Sequence, residues 1–282
     1  MNKQSDRNTV VQGAVYYAGP VEQPLLCYAA PVPLGARETN VEFIPHRVPI
    51  TDVRQTGREL RLEVEGTALL DHRSAVRDFY DEAELRRVGY AEAADIVRAA
   101  TGAAHAVVFD HNVRRSAGVR QLRDYSLAGA YGYRQPVFHI HTDFTADSAP
   151  IRARAVLGET IAAKAQRIVE INVWRPIMGP VRDSPLALCD ASSVPPGDLV
   201  PVELRYPDRT GQIYYVKFNP AHRWYYLPQM RTDEVWVFKN YDTATDGRAR
   251  FTPHTAFLDP TLKEAVRARE SVEFRAFAVF AK

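Results

Sequence analysis

The stretch Val137-Phe138-His139-Ile140-His141-Thr142-Asp143-Phe144-Thr145 decides how this chain is read. From Phe138 to His141 apolar and polar residues alternate, the pattern of a half-buried strand. Residues i and i+2 of a strand project on one face. His141 and Asp143 are therefore placed to share one metal ion, with a second histidine arriving from a distant strand. Two histidines and one carboxylate leave three coordination positions open, an arrangement suited to non-haem Fe(II). The plainer alternative is that Asp143 orients a core histidine, and H-x-D by itself does not decide between them. His139 points the same way as His141, as a pocket residue or a plain core histidine.

Outward from this stretch the chain reads as strands. Ala14 to Tyr17, Val41 to Ile44, Leu60 to Val64 and Ala106 to Asp110 are strand candidates before it. Asp78 to Ala100 is helical, with an acidic start, Gly102 just past its end, and Gly89 as a break between two helices. His111 to Ser116 reads as a basic loop at a pocket rim, followed by a Gly- and Tyr-rich approach over Ala128 to Pro136. After the stretch, Ile151 to Lys164 is a helix. Strands then follow at Arg167 to Ile177, Leu199 to Tyr206, Gln212 to Phe218, Arg223 to Leu227 and Glu234 to Tyr241, an apolar segment lies at Pro185 to Cys189, and a last strand runs to Phe280. Short strands at this spacing suggest a sandwich or barrel.

Composition bounds the function. The chain has 282 residues, 36 basic and 34 acidic, with a net charge of +2. The basic residues are scattered, which argues against a nucleic-acid surface. Cys27 and Cys189 are too few for a disulfide framework or a thiolate metal site, though one disulfide between them stays open. Residues 1–10 look like a loose polar tail without the apolar core of a signal peptide. No apolar run approaches a membrane span, so a cytoplasmic protein without a membrane partner is expected.

The end of the chain completes the constellation. Phe251 to Phe257 is a strand carrying His254, and Arg269-Glu270-Ser271 opens the final strand 15 positions after it. In a double-stranded β-helix, the second and seventh core strands lie side by side, so His141, Asp143 and His254 meet. Arg269 and Ser271 share a face, and a guanidinium fork with a hydroxyl suits a carboxylate such as the distal one of 2-oxoglutarate.

Together these residues resemble the gibberellin-desaturase-like and cephamycin-methoxylase-subunit-like Fe(II)/2-oxoglutarate oxygenases of specialised metabolism. The resemblance is carried by Asp78 to Asp81, Val108 to His111, Pro136 to Thr145, Asn172 to Pro176, Pro185 to Asp190, His222 to Asp233, Phe238 to Asp242, His254 to Phe257 and Arg269 to Arg275, which bracket about 70% of the chain in order. It implies a mainly β fold with flanking helices around a jelly-roll, cupin-like core. It also implies one oxygenase domain over 1–282, with 1–104 as N-terminal scaffold and pocket cover and 105–282 as the core. The implied cofactors are Fe(II), 2-oxoglutarate as cosubstrate and O2. The implied reaction is hydroxylation, desaturation or cyclisation at a C–H bond of a small-molecule natural product.

His141, Asp143 and His254 are then the metal ligands, with His222 a rival for the last. Arg269 or Arg275, with Ser271 and Asn172, would hold oxoglutarate. His111, Arg114, Arg134, Trp174, His222 and Tyr226 are candidates for the substrate, and Arg175 is a further cation that could meet an anion. The competing reading is a non-catalytic accessory jelly-roll subunit of a tailoring enzyme. A homodimer or a partner tailoring enzyme is compatible with the sequence.

Overall fold

The computed structural model describes residues 9–20, 24–28, 39–116, 133–262 and 266–281. The expected tail at 1–8 and most of the Gly- and Tyr-rich approach lie outside them. The described strands are β1 (Val10–Ala18), β2 (Leu26–Tyr28), β3 (Phe43–Asp52), β4 (Thr67–Asp71), β5 (His105–Arg115), β6 (His141–Thr142), β7 (Arg167–Pro176), β8 (Leu186–Cys189), β9 (Leu199–Arg205), β10 (Thr210–Val216), β11 (Trp224–Tyr226), β12 (Glu234–Asp242), β13 (His254–Ala256) and β14 (Glu270–Phe280). Nine form a large sheet in the order β1-β3-β11-β8-β13-β6-β10-β9-β2. Five form a smaller sheet in the order β4-β12-β7-β14-β5. The two pack as the curled layers of a jelly roll, as expected. The N-terminal stretch read as scaffold supplies β1, β2, β3 and β4 to these sheets.

The smaller sheet is apolar on its outer face and mixes polar and aromatic residues within. Val272, Phe274, Ala276 and Ala278 of β14 pack with Val169, Ile171 and Val173 of β7 against the helix Tyr90–Thr101. The alternate residues Ser271, Glu273 and Arg275 face inward, as period-two geometry requires. All three are buried or nearly so, which only a polar or charged partner inside the roll makes tolerable. Buried Trp174, Trp236 and Phe238 join Leu186, Leu188 and Tyr225 of the large sheet in one cluster between the sheets.

Three local readings are corrected by the structure. Leu60 to Val64 alternates like a strand but is a turn. The amides of Val64, Glu65 and Gly66 all converge on the Arg61 carbonyl, and the Glu65 carboxylate accepts from the Arg61 amide at 2.9 Å. Such local bonds compete with a ladder. His111 to Arg115 is not a loop but the second half of β5, paired with Phe274 to Glu270. Gly89 does not separate two helices. A π turn at Leu85–Gly89 joins the Tyr90–Thr101 helix to the preceding turn at Glu82–Glu84 and shifts the apolar stripe by inserting a residue. A Cβ at Gly89 would lie 2.9 Å from the Phe274 ring, so glycine here permits close packing on β14.

Gly66 is the second glycine with a definite task. It sits at φ +80°, and a Cβ there would collide with the Thr252 hydroxyl. Thr252 in turn donates to the Gly66 carbonyl at 2.9 Å and offers its own carbonyl to His254. Gly66→Ala adds a left-handed backbone penalty of about 1–2 kcal/mol to that clash. A thermal melt is expected to show a loss of at least about 3 °C; an unchanged melt would mean the close approach is not needed.

Candidate metal and cosubstrate site

β6 and β13 are neighbours in the large sheet, with His254 directly opposite His141. The two imidazoles stand 4.4 Å apart, centroid to centroid. Asp143 follows one residue after β6, with its Oδ1 3.7 Å from His141 Nε2. One donor atom from each of His141, Asp143 and His254 lies within 4.8 Å of the others, a set able to hold a metal ion.

Both histidines are aimed by backbone carbonyls. His141 Nδ1 lies 3.0 Å from the His139 carbonyl, and His254 Nδ1 3.2 Å from the Thr252 carbonyl. A carbonyl only accepts, so each Nδ1 carries the proton and each Nε2 lone pair faces the common point. Burial, with His254 beside it, pulls His141 down to about 4; burial also lowers His254. Both rings are thus neutral at ordinary pH, the form that binds metal.

The aspartate is held from the other sheet. Its Oδ2 accepts from Asn172 Nδ2 at 2.8 Å and from Arg275 Nε at 2.9 Å, while its amide donates to Asn240 Oδ1 at 3.0 Å. Burial disfavours its charge, but Arg275 and the two imidazoles outweigh that and hold the carboxyl below its usual range. Oδ1, the oxygen nearer His141, is left for a metal. Asn172→Ala removes one of the two donors on Oδ2. Partners of this kind typically contribute about 10–100-fold in metal affinity. Anaerobic ferrous titration is expected to show a loss in that range, and wild-type affinity would rule out the orienting role.

Proton competition follows from the same burial. Asp143 is ionised throughout the ordinary range and His141 gains its proton only near pH 4. Burial lowers both histidines, so ferrous affinity should fall less between pH 7 and about 5.5 than it would for an exposed pair titrating near 6.5. Equilibrium dialysis at the two pH values measures this.

The structure separates Arg275 from Arg269. Arg275 is taken up by carboxylates: Nε on Asp143, Nη1 on Asp110 at 3.2 Å and Nη2 on Glu273 at 3.0 Å. All three nitrogens of the Arg275 guanidinium thus face protein carboxylates. Arg269 is also buried, lies 5.5 Å over the Trp174 ring and donates through Nη1 to the Ser184 carbonyl. Among the described residues, its Nε and the nearby Ser271 hydroxyl are buried without a hydrogen-bond partner. Burial, with Arg114 nearby, pulls the Arg269 guanidinium down to about 9. A buried cation and an idle hydroxyl side by side fit an anionic group such as the far carboxylate of a keto diacid. Trp174 pairs with Glu273, two positions from the Asn172–Arg275 pair that holds Asp143, or about 7 Å along the strand.

The other candidates divide. Arg114 and Arg134 line a cavity of about 380 Å³ that also reaches His139, His141 and Asp143. His139 stacks on Phe43 at 4.6 Å beside it. Trp174 lies on the Arg269 side, not in that cavity's wall. His111 opposes Phe274 on the outer face, binds Tyr90 and Glu82, and does not line that cavity. Trp224 and Tyr226 alternate with Tyr225, which packs on the inner side with Leu188, the strand partner of His254. Tyr226 therefore faces away from the ligands, against Phe257. His222 lies with it on that side, bonded to Tyr17 at 3.2 Å and Asp198 at 3.1 Å. Neither touches the site. Arg175 is spent on His72 and the Thr232 carbonyl on the outer face. Cys27 and Cys189 are both free thiols. Asn240 went unnoticed in the sequence. It sits where the β12–β7 register shifts between Lys239 and Tyr241, and no residue pattern marks that bulge.

Comparison with known proteins agrees with this chemistry. A family model described as "Oxidoreductase/YMDC permease-like domain" matches residues 15–280. Among the described residues no helix is long and apolar enough to cross a membrane. The alpha-ketoglutarate-dependent dioxygenase phiK of a fungal species is 35% identical over 243 residues, covering 83% of each chain. The hydroxylase/desaturase efuI of Hormonema carpetanum is 31% identical over 84% of each. The solved iron and alpha-ketoglutarate-dependent endoperoxidase NvfI superposes with a TM-score of 0.84 at 26% identity, covering 97% of this chain and 99% of that one. The chain belongs to this oxidoreductase family, as one of its Fe(II)/2-oxoglutarate-dependent dioxygenases.

Proposed function

We propose that His141, Asp143 and His254 hold the ferrous ion, that Arg269 and Ser271 grip the distal carboxylate of 2-oxoglutarate, and that the organic substrate enters through the cavity lined by Arg114 and Arg134. The observation that carries this is the combination of a three-donor cluster with a buried arginine Nε and serine hydroxyl that have no hydrogen-bond partner among the described residues. Iron bound with oxoglutarate and dioxygen supplies an oxidant able to remove hydrogen from an unactivated carbon, at the expense of oxoglutarate becoming succinate and carbon dioxide.

The chain's own part is orientation and exclusion. Arg275, Asn172 and Asn240 fix Asp143. The His139 and Thr252 carbonyls fix the tautomers. Trp174, Trp236 and Phe238 keep water from the buried side, where the cation of Arg269 is then felt more strongly. Phe144 and Phe109 wall the cavity on the substrate side. The substrate is a small natural product, and hydroxylation or desaturation is decided by how its radical is held in that cavity. Succinate release that depends jointly on iron, oxoglutarate and oxygen, and rises with a cognate substrate, tests the reading. Absence of oxoglutarate consumption by the iron-loaded protein would overturn it.

A further inference from the structure

The cavity beside the metal set has an uneven charge. Five arginines (Arg114, Arg134, Arg152, Arg209 and Arg275) line it against two carboxylates, Asp110 and Asp143, and Arg275 occupies both of those. Three of the remaining four have a hydrogen bond or an ion pair with the protein. Arg114 donates to the Gln135 carbonyl at 2.8 Å and stands opposite Ser271, on the cosubstrate side. Arg134 donates to Asn112 Oδ1 at 2.5 Å. Arg209 lies over Tyr206 and 3.9 Å from Asp208.

Arg152 is different. It stands on the helix Ser148–Leu157, half-buried, with its guanidinium 5.1 Å over the Phe109 ring. It has no hydrogen bond or ion pair among the described residues. Phe109 is itself fixed, stacked on buried Phe277 at 4.8 Å and edge-on to Phe144 at 6.4 Å. Stacking on an aromatic face holds a guanidinium flat and leaves its N–H edge free for a planar anion. The neighbouring Ile151 is 67% exposed and lines the same cavity, so the cation sits at an apolar rim.

We propose that the organic substrate is an acid, ionised at neutral pH, whose carboxylate or acidic enolate pairs with Arg152 at the cavity rim while its apolar body lies along Phe109, Phe144 and Ile213. This rests on the dioxygenase reading and adds the substrate's chemical class to it. The pairing sets which end of the molecule is presented to His141 and Asp143 at the cavity floor. Arg152 touches the substrate away from the reacting carbon, so it governs specificity.

The test uses the full chain loaded with iron and a panel of polycyclic and alkyl-aromatic carboxylic acids, each beside its methyl ester. Oxoglutarate consumption and oxidised product are both measured. An acid should be turned over with a half-saturating concentration about tenfold below that of its ester, the effect of one charge-assisted hydrogen bond. Arg152→Gln should raise the acid's value about tenfold and leave the ester's in place, so that the preference disappears. A circular dichroism melt confirms that the variant is folded, and Arg152→Lys should recover part of the preference. The proposal is overturned if the panel's turned-over members are indifferent to esterification, if no acid is turned over, or if Arg152→Gln keeps the discrimination. Failure of the iron-loaded protein to bind oxoglutarate under anaerobic conditions would refute the dioxygenase reading itself and the proposal with it.

Discussion

Asp143→Ala is expected to abolish oxoglutarate-dependent turnover, by at least about a thousandfold, together with iron binding. Asp143 is the one anionic member of the proposed three-donor set, and its charge is maintained against burial chiefly by Arg275. Removing it leaves two neutral imidazoles facing a buried guanidinium, which repels a cation. The fold should survive, because Arg275 keeps Asp110 and Glu273 as partners and the change lies at the end of a short strand. Asp143→Asn separates charge from shape: it keeps the volume but not the anion, and should bind iron far more weakly than the wild type. Metal analysis and succinate release on the two variants decide this, and turnover near the wild-type rate in either would remove Asp143 from the ligand set.

Arg269→Ala is expected to weaken oxoglutarate binding by about 10–100-fold, the size of a charge-assisted hydrogen bond to a carboxylate. Iron affinity should stay as it is, because Arg269 touches none of the three ligands. Arg269→Lys should fall between the two, since a lysine keeps the charge but lacks the planar fork. Ser271→Ala should add a smaller loss. Titration of oxoglutarate into the anaerobic iron-loaded protein gives the affinities directly. If Arg269→Ala binds oxoglutarate as the wild type does, the unpaired Nε and Ser271 hydroxyl serve some other anion.

The candidate ligands were legible in the sequence because ligand chemistry restricts residue type and strand geometry restricts spacing. His141 and Asp143 two apart, and His254 on a late strand, were readable for that reason, and the pairing of β13 with β6 joined them. Arg269 and Ser271 were readable as an i, i+2 pair. What surrounds these residues was less legible. Arg275 looked like a rival clamp because a sequence does not show that Asp110 and Asp143 converge on it from two distant segments, beside Glu273 on its own strand. Asn240 was hidden by a bulge. His111 looked like a rim residue because Asp110-His111-Asn112 is polar enough for a loop, yet β5 runs on for ladder bonding with β14 and turns His111 toward Tyr90. His222 drew notice as a histidine before an aromatic strand, but Tyr17 and Asp198 satisfy it on the opposite face of the sheet. In each case the missing information was a long-range partner.

The central claim is that side chains from two distant parts of the chain converge on one ferrous ion. Anaerobic titration of Fe(II) into the metal-free protein, followed calorimetrically for the wild type and His254→Ala, tests it most directly. One ion per chain for the wild type and no measurable binding for the variant is the predicted result. A wild type that takes up no iron, or a His254→Ala protein that takes it up with unchanged affinity, would contradict the claim.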